Sequence, residues 1–81
     1  MTISKAVTTR INELLVQKNM SWYKLEQDSL LSKGTIVCVQ YSKYKSVNLS
    51  TLITIIRTLN ISIPEFFDSP LFSEDNLDIE N

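Results

Sequence analysis

Apolar residues recur at helical spacing along most of the chain, and strand-like alternation is scarce. Val7, Ile11, Leu14 and Leu15 stand at i, i+4, i+7 and i+8, which predicts a helix over residues 3–18 with one buried stripe. Asn19 suits a left-handed stop, because a short polar side chain tolerates that conformation. Ser21 then caps a short helix over about 22–29, in which Leu25 points inward. Ser29-Leu30-Leu31 reads as a tight turn. Ser32 caps a third helix over about 33–41, anchored by Ile36 and Val39, and Leu31 plugs the corner before it. Asn48 caps a fourth helix over about 49–59. Its expected core stripe is Leu49, Leu52, Ile53, Ile56 and Leu59. Ser62 and Glu65 have capping-box spacing, and Pro64 is tolerated in a first turn. They predict a short fifth helix through Phe67 or Asp68 that lays Phe66 or Phe67 on the core. Ser69-Pro70 breaks it.

The two short helices across 21–41 are too small to bury their own apolar residues, so the flanking helices must cover them. A capping Ser, a Leu four residues on, an apolar corner residue and then Ser-x-x-x-Ile resembles the phage-repressor/Cro type of helix-turn-helix, the XRE family. The likeness extends from about Val7 to Phe67. It implies an all-α, compact five-helix, lambda-repressor-like helix-turn-helix domain over 3–68. A short acidic C-terminal tail follows over 69–81.

Charge divides the chain just ahead of the fifth helix. The net charge is −1. Residues 1–60 hold all eight bases and three acids, whereas residues 61–81 hold six acids and no base. A basic body suits a polyanion partner. The acidic tail would oppose non-specific DNA binding, although Leu71, Phe72, Leu77 and Ile79 give it apolar residues with which to dock.

Composition narrows the function classes further. Cys38 is the single cysteine and there is no histidine, so no intrachain disulfide and none of the usual zinc spacings can be written. Cys38 lacks a histidine to activate it, and there is no Gly-rich phosphate loop, so an enzyme is not expected. No cofactor or metal is expected. No apolar run approaches the roughly 20 residues that cross a bilayer, and a signal-peptide core is missing. The expectation is a cytoplasmic protein with no membrane partner.

The resemblance assigns an expected DNA interface. Ser21 and Trp22 stand at the N-terminus of the second helix, where the family holds a phosphate, usually through Gln at the position of Trp22. Lys33, Gly34, Thr35, Val37 and Cys38 fall in the recognition helix, with Lys33, Gly34, Val37 and Cys38 matching base-contacting positions. Val37 and Cys38 offer little hydrogen bonding, but apolar side chains can contact a thymine methyl, which suits A·T-rich sites. Lys43, Tyr44 and Lys45 in the following loop can reach phosphate oxygens. The chain also departs from the family. Leu30 and Ser42 replace customary glycines, and Leu15 and Gln40 replace an arginine–glutamate pair. The expected function is sequence-specific double-stranded DNA binding by a transcriptional regulator, a repressor, acting as a homodimer. The alternative is a protein-interaction module on the same fold, with another regulator or a toxin as protein partner.

Overall fold

The computed structural model describes residues 1–78. Among these, five α-helices form: α1 (Ile3–Gln17), α2 (Trp22–Ser29), α3 (Lys33–Gln40), α4 (Leu49–Thr58) and α5 (Ile63–Phe67). Two 3-10 turns follow, Pro70–Phe72 and Glu74–Asn76. No strand occurs among the described residues. The expected all-α, five-helix architecture is the one observed.

Each helix starts on a side-chain cap. The oxygens of Thr2, Ser21, Ser32, Asn48 and Ser62 accept from backbone N–H groups in the first turn of α1 to α5 respectively. Such a cap is typically worth about 1 kcal/mol.

The ends of the first four helices are less usual. Asn19, Leu30, Ser42 and Asn60 terminate α1, α2, α3 and α4, and all have positive φ. None is glycine. At α1, Asn19 N–H bonds Val16 O at 3.1 Å and Met20 N–H bonds Leu15 O at 2.8 Å. At α3, Ser42 N–H bonds Val39 O at 3.2 Å and Lys43 N–H bonds Cys38 O at 3.0 Å. Asn60 and Ile61 repeat the pattern on Arg57 and Ile56. These paired bonds satisfy carbonyls that a helix end leaves open. Met20 and Ile61 then pack on the core, which fixes where the chain goes next.

Leu30 lacks this support. Its φ is 62° and its side chain is 90% exposed, so the left-handed strain is not offset by burial. Leu30→Gly should therefore stabilise the fold by about 0.5–1 kcal/mol, the steric relief being partly cancelled by the greater freedom of the unfolded chain. A rise of a few degrees in melting temperature is expected. A fall would show that Leu30 makes contacts that stabilise the turn.

The core joins α1, the helix pair and α4. Val7, Ile11, Leu14, Leu15, Leu25, Ile36, Val39, Leu52, Ile55, Ile56, Leu59 and Phe66 are buried together, and Leu31 packs at the edge. The α4 stripe differs from expectation. Ile55 is fully buried, Ile53 is only half-buried, and Leu49 is 70% exposed. The buried phase is 52, 55, 56 and 59, and Leu49, in the first turn, lies off it. Of the two candidate phenylalanines, Phe66 enters the core and Phe67 stays 40% exposed.

The segment after α5 folds back on α1. Phe72 packs against the core and lies in tilted contact with Phe66, ring centroids 5.8 Å apart. Asp78 N–H donates to Met1 O at 2.8 Å, and the Met1 ammonium lies 3.3 Å from the Asp78 carboxylate. Ile79, one of the tail's apolar residues, lies outside the described residues.

Candidate nucleic-acid interface

The position of α3 is set from below by a buried hydroxyl. Thr8, on α1, bonds Ser4 O at 2.9 Å, the Val39 carbonyl, and the Ser42 hydroxyl at 2.8 Å. Thr8 has a single proton to give, so Ser42 O–H donates to Thr8, and Thr8 donates toward the carbonyls. This ties the C-terminal turn of α3 to the first helix. It also gives Ser42, which stands at φ 51°, a bond that a glycine there would not make. Thr8→Val should cost about 0.5–1.5 kcal/mol, because the Val39 carbonyl loses its buried hydroxyl donor and keeps only the Ser42 N–H. Urea unfolding measures it, and a loss below about 0.5 kcal/mol would mean that the site relaxes around the valine.

With Ile36 and Val39 buried, the opposite side of α3 faces outward. Lys33 and Gly34 are exposed, while Val37 and Cys38 are half-buried. Tyr41, one turn beyond Val37, is 66% exposed on the same side. It was not among the expected interface residues, although the 33–37–41 spacing in the sequence already placed it there. Thr35 is half-buried, and its hydroxyl is bonded to the Ser32 hydroxyl at 2.8 Å.

A groove of about 470 Å³ runs along this helix. It brings together Gly34, Thr35 and Cys38 from α3 with Tyr44, Ser46 and Thr51 from the loop and α4. Ser21, Trp22, Lys33, Val37, Lys43 and Lys45 are not in its lining. Ser21 caps α2, its oxygen accepting from Lys24 N–H at 3.0 Å. Trp22 is half-buried against the core, and its indole N–H donates to Asn12 Oδ1 at 2.7 Å. The single donor of that side chain is therefore engaged within the protein. Lys43, Tyr44 and Lys45 are exposed in the loop after α3.

Charge is arranged to match. Residues 33–48 contain three lysines and no acid. Two other bases, Arg10 and Lys24, have partners within the protein. Arg10 donates from Nε to Phe66 O at 2.7 Å and from a terminal nitrogen to Glu65 O at 2.8 Å, holding the end of α5, and lies 3.4 Å from Glu13. Lys24 pairs with Asp28 at 3.1 Å. Asp78 is held beside the N-terminus of the chain, at the start of α1. Lys33, Lys43 and Lys45 thus put three of the eight bases on α3 and the loop that follows it.

No group of metal-ligating side chains occurs among the described residues, and no described helix is long and apolar enough to cross a membrane. A family model for the Cro/C1-type HTH DNA-binding domain matches residues 10–70. Comparison with curated proteins and with solved structures yields no match.

Proposed function

The chain belongs to the Cro/C1-type HTH DNA-binding domains, and from that premise we propose that it is a sequence-specific double-stranded DNA-binding regulator, a repressor, that places α3 in the major groove. The observation that carries this reading is the outward side of α3 flanked by a lysine loop with no carboxylate between residues 33 and 48. A helix of this size fits the major groove, and exposed lysines beside it supply the sequence-independent part of the affinity. Lys43, Tyr44 and Lys45 hold phosphates, and the N-terminus of α2 at Ser21 approaches the backbone. Acting as a cytoplasmic homodimer, the protein would engage two half-sites about 34–36 Å apart.

The test is the salt dependence of duplex binding. Replacing Lys43 and Lys45 together by Ala should weaken binding to every duplex alike. The log–log salt slope should fall by roughly 0.9 for each phosphate that the variant no longer neutralises. An unchanged slope would remove this loop from the interface.

A protein-interaction role on the same fold is favoured by one observation, the 90% exposure of Leu30 beside α3. Leu30→Gly separates the two readings. A DNA-binding domain keeps its duplex affinity after this change, whereas a module that docks a protein through the turn loses its partner.

A further inference from the structure

The groove beside α3 is lined without charge. Ser4 of α1 enters it from below, Gly34 and Cys38 come from α3, Ser46 from the loop, and Asn48 and Thr51 from the start of α4. Among the described residues, no lysine, arginine or carboxylate belongs to the lining. The row Lys33, Val37 and Tyr41 runs along a different strip of α3, outside it. At about 470 Å³ the groove falls within the roughly 300–1,000 Å³ of ordinary small-molecule sites.

Two polar groups there are left without partners by the fold. Ser4 is only 3% exposed. The side-chain hydrogen bonds that reach it, from Thr8 and Ser42, both end on its carbonyl, and its own hydroxyl makes none among the described residues. No fully buried side-chain oxygen among these residues lacks a partner, so the little exposure that Ser4 keeps includes its hydroxyl, and it opens into the groove. Asn48 supplies the second group. Its Oδ1 caps α4, accepting from Ser50 N–H at 2.9 Å and Thr51 N–H at 3.3 Å, and takes the Ser50 hydroxyl at 2.6 Å as well. That fixes which way the amide faces and leaves its NH2 with two donors and no acceptor among the described residues.

We propose that this groove is a binding site for a small uncharged organic molecule with carbonyl oxygens on an apolar body, held by the Ser4 hydroxyl and the Asn48 amide. A charged ligand would lose hydration there and gain no ion pair. An occupant touches α3, the loop and α4 together, so it acts as an effector that sets α3 against the loop. The effector role rests on the DNA-binding reading above, whereas the site itself does not.

Cys38 is the single cysteine and lines the groove, so its alkylation by iodoacetamide reports occupancy. The probe is cyclohexane-1,4-dione, with cyclohexane-1,4-dicarboxylate and cyclohexane-1,4-diammonium as charged controls and N-acetylcysteine as the free thiol. The dione should slow alkylation of Cys38 about tenfold at about nine times its dissociation constant, and leave N-acetylcysteine unaffected. Ser4→Ala should melt at an equal or higher temperature, since its hydroxyl serves nothing in the fold, yet bind the dione about fivefold more weakly, the worth of one hydrogen bond. Asn48→Asp keeps the cap on α4, loses the amide donors and should weaken the dione to a similar degree. No protection up to the solubility limit of the dione would overturn the proposal. So would equal protection by either charged control, or wild-type affinity in both variants. On a duplex selected from a random pool, the dione should change duplex affinity, and the duplex should change dione affinity by the same factor. Dione binding without that coupling would remove the effector role. If no duplex is selected while Cys38 is protected, the DNA-binding reading fails and the site stands.

Discussion

Phe66→Ala is expected to lower stability by about 3–5 kcal/mol, the largest loss from any single side chain here. Phe66 is fully buried, and together with Phe72 it holds the C-terminal segment on the core. Its ring meets Phe67 edge-on at 5.0 Å and Phe72 at 5.8 Å, and Phe67 meets Phe72 at 4.9 Å. The helix that carries it, α5, has five residues, too few to persist without tertiary contacts. Arg10 holds the carbonyls of Glu65 and Phe66, but those bonds position a helix that only Phe66 anchors in the core. Small domains have total stabilities of roughly 5–15 kcal/mol, so the change removes a large share of what is available. Urea denaturation followed by far-ultraviolet circular dichroism should show a much lower midpoint. A loss under about 1 kcal/mol would mean that the three rings repack around the gap.

The same cluster decides how the acidic tail is to be tested. Deleting residues 70–81 would remove Phe72 and the Met1–Asp78 pairing along with the charge. Substituting the acids keeps the packing and changes only the field.

The helices were legible because caps and periodicity agree. Ser21 with Leu25, and Ser32 with Ile36, mark both helices of the central pair by local pattern alone. Three assignments were beyond such patterns. Leu49 continues the α4 stripe in sequence, yet lies exposed, because the buried side of α4 runs through Leu52, Ile55, Ile56 and Leu59 instead. Thr8 reads as an ordinary polar residue of α1, and only the approach of α3 turns it into a buried bridge to Val39 and Ser42. Arg10 counts as one base among eight in the composition, but in the fold it closes the end of α5, a distant pairing that no local spacing encodes. For the candidate interface, spacing showed which residues of α3 face outward. The groove that joins Gly34 and Cys38 to Tyr44 depends on how the loop returns, and the engagement of Trp22 by Asn12 depends on how α1 crosses α2.

Ile36→Ala is expected to cost about 2–5 kcal/mol and to weaken duplex binding only through the fraction of protein that unfolds. Ile36 is 2% exposed, within the cluster formed by α1, α2 and α4, so truncation leaves a cavity where three helices meet. Its neighbours across the helix should behave in the opposite way. Lys33 is exposed, so Lys33→Ala should change stability by less than about 0.5 kcal/mol. If its ammonium bonds a guanine edge, specific binding should nevertheless fall by roughly 1–3 kcal/mol. Val37 is half-buried, so Val37→Ser should cost about 1 kcal/mol of stability and relax base preference at one position, with little effect on non-specific affinity. Melting temperature and duplex affinity measured on the three variants separate the two sides of α3. The decisive comparison is Val37→Ser against Ile36→Ala. Equal loss of stability would put Val37 in the core, turn the outward side of α3 away from Gly34 and Cys38, and remove the basis for placing this helix in the groove.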